Sequence, residues 1–563
     1  MQLSSMFLVS AKLFLSTVLL FPFAAFAHLL SITATIPIPA TVAASSNSSA
    51  TFTVTNISTI PITPVDQSNF PSDSGLSVLV STCDNLLLNP GDACTIELSL
   101  NALSVGKIVD TELKIWAQPS MDAVQHPIEF TVTGGVPNIT ITPISINSNL
   151  PKLRDPVLAE HAGKWLIVSG SLGKFHDFSN NFNTDIYVYD PNTQELDSVL
   201  ISSTTLPVEV KNQLASSVPQ FLQDGDTLYI IGGFYSSSPT NFTTLNTITS
   251  INVPGMINAI TNNQDITPFV KTKTDPSLPQ FKVTGGQLAK IGNYFYLAYG
   301  QDCEGFYCSG GQVYTNAIYK FITDPSLAST AIVDTVVDTT ANSGWRRRDY
   351  FLAPFMSGNT ETLLALAGPF QPGNPPRVWT NAIIFDENIE YNSHFISNQQ
   401  GNQYLAPNVS MHSANYQMTY VASFSGLSNL YWTVNGLAYD NSTPYGNVLD
   451  LISADATGDV REYVNLTPMC SGQPLANCLY MGLSTEFIRT GNYYDHRDIL
   501  QLDQLPQNSP TLVGYLYAGL TTPDQDIFPP TGNTTVTNQV YAVYVTPAGS
   551  TNVTWQNVTN VFP

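Results

Sequence analysis

The sequence predicts an all-β fold in two parts, a small N-terminal β-sandwich followed by a large C-terminal β-propeller. Three observations support this prediction: a composition that favours strands, short alternating apolar segments before residue 135, and an apolar segment ending in glycine that recurs six times afterwards. The chain is 43% hydrophobic, with 26 Tyr and 28 Phe, but only 11% of its residues are charged. Aromatic residues favour strands, and the 38 Pro and 35 Gly supply turns between them.

The first 27 residues have the features of a secretory signal. Lys12 is the only charged side chain, an apolar run follows it, and Ala25-Phe26-Ala27 fits the small-x-small pattern of a cleavage site. A membrane-anchoring helix is the alternative, but Pro22 interrupts the run, and a bilayer needs about 20 apolar residues. We therefore predict a signal peptide at 1–27, a secreted or cell-envelope protein, and no integral membrane segment in the mature chain.

Residues 28–135 show the alternation of half-buried strands, as in Ala50–Ile57 and Thr95–Leu100. Pro90-Gly91-Asp92 predicts a tight turn between Cys83 and Cys94. The stretch that runs from Cys83 through Leu88-Asn89-Pro90-Gly91-Asp92-Ala93 to Cys94 resembles immunoglobulin-like modules common in bacterial envelope proteins. About seven short strands in ~100 residues also fit that sandwich. We predict an immunoglobulin-like β-sandwich at 28–135 and a linker at 136–150.

An internal repeat occupies residues 151–563. Six apolar segments end in glycine, at Gly170, Gly233, Gly300, Gly368, Gly436 and Gly519, and each is followed by a polar loop and a further strand. Two copies of that further strand, Val313–Ile318 and Val378–Ile383, share the sequence Thr-Asn-Ala-Ile. A repeat made of strands cannot bury its apolar faces alone, and radial closure into blades removes exposed sheet edges.

The order of elements in the repeat resembles that of Kelch-type β-propellers. It consists of an apolar strand, a glycine pair such as Gly232-Gly233, a polar loop and a tyrosine-containing strand. This resemblance implies a Kelch-like β-propeller at 151–563, with six blades favoured over a seventh hidden near 440–510. We expect the ring to be closed either by Asn552–Val561 or by Ile139–Ile146 joining the last sheet. The resemblance also implies a ligand-binding face made of the loops at 171–184, 234–246, 301–316, 369–381, 437–447 and 520–538, although each could be a solvated connection without function.

A basic cluster, Trp345-Arg346-Arg347-Arg348-Asp349-Tyr350, is conspicuous in a chain with only 20 Lys and Arg. Arg-Asp pairs also precede the first and sixth units, as Arg154-Asp155 and His496-Arg497-Asp498. Arginine can bind a carboxylate or an acidic sugar through its bidentate fork, whereas arginine–aspartate pairs can instead tie adjacent blades together. Both interpretations stay open at this stage, and these residues are the candidate ligand-binding set.

The six cysteines form three locally spaced pairs, which predict the disulfides Cys83–Cys94, Cys303–Cys308 and Cys470–Cys478. The net charge of −22 and pI of about 4.4 argue against nucleic-acid binding, because such a surface repels phosphate.

We predict no cofactor and no catalytic residues, since no nucleophile, phosphate-loop or zinc motif is found and the seven His lack metal-ligand spacing. Ca²⁺ held by Asp302 with Glu304, or by Asp524 with Asp526, is the alternative to ordinary exposed acidic turns.

The resulting hypothesis is an exported, monomeric binding protein whose propeller loop face recognises a glycan or protein ligand. The alternative is a secreted carbohydrate-active enzyme, glycosidase or oxidase-like, because paired acids from distant loops leave no local sequence signature.

Overall fold

The computed structural model describes residues 28–38, 41–43, 48–71, 74–100, 108–120, 122–133, 136–175, 177, 181–238, 241–340, 344–372, 378–456, 458–470, 473–507, 509–525, 533–547, 555–559 and 561–562. The predicted signal peptide lies outside these residues. The predicted all-β fold is confirmed, and the chain divides into two compact units, the first mostly before Val132 and the second mostly from Val132 onward. No helix in the described part of the chain is both long enough and apolar enough to cross a membrane.

The first unit contains two antiparallel four-stranded sheets. In pairing order, one sheet consists of Leu30–Ile36, Ser48–Asn56, Ala93–Leu100 and Leu76–Ser81, and the other of Thr41–Ala43, Asp122–Thr133, Ile108–Gln118 and Thr63–Asp66. Alternate residues of the central strands, such as Phe52, Ile96 and Phe130, are buried. This is the consequence of the period-two pattern that predicted the strands.

The second unit consists mainly of six sheets that follow one another along the chain, and their strand pairs are antiparallel except for one parallel pair in the fifth, between Asn408–Ser413 and Leu500–Gln501. We number them in chain order and give their strands in pairing order: sheet 1, Val157–His161, Lys164–Val168, Asp185–Tyr189 and Leu196–Leu200; sheet 2, Gln220–Asp224, Thr227–Ile231, Ile248–Asn252 and Val270–Lys273; sheet 3, Gln287–Ile291, Tyr294–Ala298, Ala317–Ile322 and Ala331–Val337; sheet 4, Phe351–Ser357, Thr360–Leu366, Ala382–Asp386 and Tyr391–Ile396. Sheet 5 contains Leu500–Gln501, Asn408–Ser413, Met418–Phe424, Leu449–Asp455, Val460–Asn465 and Trp555–Asn557, and sheet 6 contains Glu486–Arg489, Thr511–Tyr517, Val540–Thr546 and Asn138–Pro143.

Each sheet packs between its two neighbours, and the sixth packs on the first. Separate apolar cores join sheets 1 and 2, 2 and 3, 3 and 4, 4 and 5, 5 and 6, and 6 and 1. In the last of these, the Trp165 ring of sheet 1 lies 5.3 Å from that of Tyr515 in sheet 6. Because both faces of a sheet are covered, each sheet contains a strand with a buried apolar stretch, as in Leu228–Ile231. This closed arrangement is a β-propeller.

The recurring glycine lies where one apolar strand of each sheet turns away, after Lys164–Val168, Thr227–Ile231, Tyr294–Ala298, Thr360–Leu366, Met418–Phe424 and Thr511–Tyr517. There the backbone has positive φ at two successive residues, for example 62° at Ser425 and 102° at Gly426. A Cβ on Gly426 would lie 2.8 Å from the carbonyl oxygen of Tyr404, so the close approach of the chain excludes a side chain. The prediction for the fifth unit was wrong: its closing glycine is Gly426, whereas Gly436 belongs to a separate hairpin, Leu430–Thr433 with Gly436–Tyr439.

The segment predicted as a linker at 136–150 is not simply a connection. Asn138–Pro143 is the outer strand of sheet 6 and pairs with Val540–Thr546, with Ile139 buried in the core between sheets 5 and 6. Of the two closing segments expected, the one at 139–146 therefore joins the last sheet, whereas Trp555–Asn557 adds to sheet 5. Residues 440–510 contribute to sheets 5 and 6.

Two further small sheets and two α-helices are described in addition to the six sheets of the propeller. Phe234–Ser236, Phe242–Thr244, Gln301–Glu304 and Gly311–Tyr314 form a four-stranded sheet from the loops that leave sheets 2 and 3, and Tyr480–Leu483, Leu520–Thr522 and Thr535–Val536 form a three-stranded one. The described α-helices are Val208–Leu214 and Val253–Thr261, which pack their apolar sides into the core between sheets 1 and 2. All three predicted disulfides are present.

Candidate functional site

The axis of the propeller is surrounded by one residue from each sheet. Each lies two or three residues before a strand that we call the inner strand of its sheet: Val157–His161, Gln220–Asp224, Gln287–Ile291, Phe351–Ser357, Asn408–Ser413 and Glu486–Arg489. We call these six residues the axial ring: Asp155, Val218, Gly285, Asp349, Leu405 and Ser484. Five of the six backbone amides donate to the carbonyl oxygen of a neighbouring ring residue: Asp155 to Ser484 at 3.1 Å, Ser484 to Leu405 at 2.7 Å, Leu405 to Asp349 at 3.1 Å, Asp349 to Gly285 at 2.8 Å and Gly285 to Val218 at 3.4 Å. The ring therefore links the sheets through main-chain hydrogen bonds.

All six ring residues have a left-handed backbone, and five of them are not glycine. Their φ is, for example, 50° at Val218 and 53° at Leu405. Such a conformation is costly for most residues and for β-branched ones above all, so the surrounding hydrogen bonds must impose it. The same six residues line two cavities, which lie on either side of the ring. We call the one bounded by the loops the upper cavity and the one bounded by the inner strands the lower chamber.

The upper cavity has a volume of about 640 Å³. Its walls include residues one position before the ring (Arg154, Ser217, Thr284, Arg348 and Tyr404), aromatic rings (Phe175, Phe182, Phe234, Phe242, Tyr314 and Phe370) and the disulfide Cys303–Cys308. These residues include contributions from four of the predicted loops, at 171–184, 234–246, 301–316 and 369–381. No described residue of 437–447 or 520–538 lines it.

Three arginine side chains converge on the upper cavity. Arg154 and Arg348 occupy equivalent positions, each one residue before a member of the axial ring, and these two members lie opposite each other. Arg346 lies two residues before Arg348. Arg154 donates to the carbonyl oxygen of Asp177 at 3.3 Å, and its buried Nε has no hydrogen-bond partner in the described part of the chain.

Aromatic rings position the other two guanidinium groups. The Arg346 guanidinium lies 4.1 Å from the centre of the Tyr314 ring and donates to the carbonyl oxygen of Phe370 at 2.8 Å. The Arg348 guanidinium lies 4.7 Å from the centre of the Phe370 ring and 3.4 Å from the carboxylate of Asp349. Cation–π contacts of this kind orient a guanidinium while leaving donors along its edge.

Arg347, which the sequence grouped with its neighbours as a ligand residue, does not reach the cavity. Its side chain is fully buried and donates to the carbonyl oxygens of Gly344, Ala367 and Asn381 and to Asn381 Oδ1, at 2.7 to 3.1 Å. Burial lowers the pKa of Arg347 to about 10, which still leaves it charged at neutral pH. Arg346 and Arg348 therefore line the cavity, whereas Arg347 between them points into the protein and bonds to the segments that flank the strands of sheet 4.

Two carboxylates form part of the floor of the upper cavity. Burial raises the pKa of Asp155, Arg154 and the Ser484 hydroxyl lower it, and the charge of Asp349 raises it again. Burial likewise raises the pKa of Asp349, against the lowering effect of Arg348 and Arg154. The charge of Asp349 therefore acts on Asp155 across the ring, and an arginine lies beside each acid.

His496-Arg497-Asp498 was predicted to precede the inner strand of the sixth unit, and this placement is wrong. That strand is Glu486–Arg489, whose ring residue is Ser484, and the three residues line the lower chamber instead. Arg497 pairs with Asp495 and Asp498 with Arg489, while the exposed ring of His496 lies 3.3 Å from Glu361. These three residues are therefore not part of the arginine site.

The acidic pair Asp302 and Glu304 already has a cationic partner. Lys282 Nζ lies 3.0 Å from the first carboxylate and 2.6 Å from the second. Asp524 accepts from the Asn533 amide at 2.6 Å, and Asp526 lies outside the described residues. Among the side chains that the structure describes, no group of three or more His, Cys, Asp or Glu is placed to hold a metal ion.

Sequence reasoning missed the axial ring because its members share no side-chain chemistry. Asp, Val, Gly, Leu and Ser occur at equivalent positions, and only the backbone conformation is repeated. The sequence signal for a ring residue is its position just before an inner strand. The sequence prediction applied this signal only where an Arg-Asp pair occupies that position. The missed glycine of sheet 5 had a clearer signal, the apolar strand Met418–Phe424 directly before Ser425-Gly426.

The chain matches no protein-family profile and no curated protein. Among solved structures, it is similar to YjhT at a TM-score of 0.32 and 11% identity, over 63% of this chain and 91% of that one. It is also similar to a mutant of Trypanosoma rangeli sialidase displaying trans-sialidase activity, at a TM-score of 0.32 and 8% identity over 73% and 60% of the two chains. A DUF4784 family protein from Bacteroides caccae follows at 0.26 and 7%, over 78% and 96%. Likenesses this remote say nothing of function.

Proposed function

We propose that this chain is an exported binding protein, a six-bladed Kelch-like propeller preceded by an immunoglobulin-like module, and that its upper cavity binds a carboxylate-bearing glycan. One observation carries the proposal: three of the few cationic side chains, Arg154, Arg346 and Arg348, line a single cavity. Their guanidinium forks match the planar geometry of a carboxylate. The predicted secretory signal and the three disulfides support an extracytoplasmic location.

The walls of the cavity suit a sugar ring. The Phe234 and Phe242 rings stack at 5.3 Å and the Phe182 and Tyr235 rings at 5.7 Å, so flat apolar surfaces border the cationic groups. A sugar presents C–H groups on one face and hydroxyls at its edge. The side chains of Ser217, Thr284 and Gln301, which also line the cavity, can exchange hydrogen bonds with those hydroxyls.

The binding test is a glycan array that contains uronic-acid glycans and neutral glycans of the same linkage, followed by calorimetry on the best pair. We expect binding of the acidic member, weakened about 10- to 100-fold by Arg346→Ala, since a charged hydrogen bond contributes about 1.5–3 kcal/mol. Arg461→Ala is the matched control, because Arg461 pairs with Asp459 outside the cavity. Equal binding of acidic and neutral glycans would contradict the proposal.

A second candidate function, a glycosidase acting on the same acidic glycans, is favoured by Asp155 and Asp349. A carboxyl group with a raised pKa can act as a general acid while its partner acts as base or nucleophile. The test is the release of reducing ends from the glycans that bind, with Asp155→Asn and Asp349→Asn as variants. Asparagine tolerates the left-handed backbone at these positions, so the variants should fold. Turnover abolished by either variant supports the enzyme, and binding without turnover supports the binding protein.

A further inference from the structure

One sheet of the first unit ends in a strand with a free side. Leu76–Ser81 pairs with Ala93–Leu100 on one side, and no strand in the described part of the chain pairs with its other side. Backbone N–H and C=O groups along the free side of such a strand can pair with a strand of another chain. Addition of a strand to a sheet edge is a common way for proteins to associate.

The side chains of this strand are unusually exposed for apolar residues. Val78 is 40% exposed, Leu79 57% and Val80 50%, in direct succession. The strand at the opposite edge of the same sheet, Leu30–Ile36, exposes one large apolar side chain, that of Ile36. Apolar surface is therefore concentrated at one of the two edges.

This apolar surface lies on both faces of the sheet. Val78 pairs with Leu98, whose side chain is buried in the sandwich, whereas Val80 pairs with Glu97, whose side chain lies on the outer face. Neighbouring residues of a strand point to opposite faces, so the two valines extend to opposite sides of the edge. A further strand alongside Leu76–Ser81 would cover both, which a ligand on one face would not do.

The charge of the edge favours a second copy of this chain. No charged side chain occurs between Ser74 and Cys83, although the chain as a whole has a net charge of −22. Sheet edges are commonly protected from pairing by Lys or other charged residues, and this strand has none. Most contacts between two such acidic chains would bring carboxylates together, whereas contact along this strand would not.

The sequence of the edge is self-complementary. Ser77-Val78-Leu79-Val80-Ser81 is the same in both directions, with Leu79 at its centre. Two copies can therefore pair antiparallel about a twofold axis that passes through this residue. The opposing pairs are then Leu79 with Leu79, Val78 with Val80 and Ser77 with Ser81. Each pair joins side chains of one kind, as an interface between identical surfaces requires.

The strand has one irregularity, and the twofold axis accommodates it. Its register with Ala93–Leu100 shifts between Val78 and Val80, so Leu79 is the extra residue of a bulge. A bulge in only one of two strands would shift their pairing, but the axis passes through the bulge of both copies and keeps them in register. We propose that Leu76–Ser81 is a self-association edge, at which two copies of this chain join their four-stranded sheets.

The first measurement is sedimentation velocity on the exported chain. A single strand pair covers less than the about 800 Å² per partner of a standard interface, so the dimer should be weak and reversible. Between about 1 and about 100 µM the mean mass should rise from that of one chain toward that of two. This dimer would replace the monomer that the sequence predicts.

Leu79→Lys is the decisive variant, because it places two ammonium groups opposite each other at the twofold axis. It should stay monomeric at every concentration, and its unfolding temperature should be unchanged because the side chain is exposed. Ile36→Lys is the matched control at the other edge of the sheet and should associate like the wild type. A dimer that survives Leu79→Lys would overturn the proposal, and so would a wild-type chain that stays monomeric, which would leave the edge to a strand of another protein.

Single cysteines test the register. All six native cysteines are in disulfides, so an introduced cysteine is the one free thiol. Under mild oxidation Leu79→Cys should cross-link to its own copy, because Cβ atoms of opposing residues are about 4.5–5.5 Å apart. Ser77→Cys should cross-link only when mixed with Ser81→Cys, because its own copies lie about 13 Å apart along the strands. Cross-linking of Ser77→Cys alone, or of Ile36→Cys as readily as Leu79→Cys, would overturn the proposal.

Discussion

The contrast between Arg346 and Arg347 gives the sharpest prediction. Replacing Arg347 by alanine removes the donor for the buried carbonyl oxygen of Ala367 and for three part-buried acceptors, the carbonyl oxygens of Gly344 and Asn381 and the amide oxygen of Asn381. Each buried acceptor left without a partner costs about 1–3 kcal/mol, and water that enters the vacated space recovers part of this. We therefore expect Arg347→Ala to lower the free energy of unfolding of the propeller by about 3–6 kcal/mol.

The assay is equilibrium urea unfolding with the disulfides intact, followed by tryptophan fluorescence. The ring of Trp379 lies 5.5 Å from the Arg347 guanidinium and reports on this region. Arg346→Ala is the control, because its side chain lies in the cavity and its loss should change the free energy of unfolding by less than about 1 kcal/mol. Arg347→Lys keeps the charge but not the fork and should fall between the two. Equal stability of the two alanine variants would refute the assignment of Arg347 as a structural residue.

Three further predictions follow from buried groups. Burial and the neighbouring Glu462 raise the pKa of Asp450 in the folded protein. Because Asp450 of the unfolded chain ionises first, the free energy of unfolding should fall as the pH rises from about 4 toward the raised pKa. Asp450→Asn should reduce this loss, as measured by urea unfolding at several pH values. Gly285→Ala should cost about 1–2 kcal/mol and also weaken ligand binding in the upper cavity, because φ is 66° and a Cβ would lie 2.8 Å from Asp349 Oδ1; thermal unfolding and calorimetry test this, and an unchanged affinity would contradict it. Replacing both Cys303 and Cys308 by serine opens a short loop and should cost about 2 kcal/mol in urea unfolding, with no effect expected from serine at an exposed control position.

The sequence by itself determined the strand-rich fold and the disulfides. A strand covered on both faces must be apolar throughout, so Leu228–Ile231 and its counterparts were recognisable wherever they ended in glycine. The disulfides were recognisable because each closes a loop short enough to be seen as local spacing, five residues apart for Cys303 and Cys308. These features depend on neighbours along the chain, which a sequence displays directly.

Only the tertiary structure decided which residues meet at the axis. Asp155 and Asp349 face each other because they occupy equivalent positions in sheets 1 and 4, and the other ring positions hold residues with no shared chemistry. The separation of Arg346 from Arg347 likewise depends on which side of their segment faces the cavity. Main-chain hydrogen bonds between distant segments fix both features, and a single sequence carries no local record of such bonds.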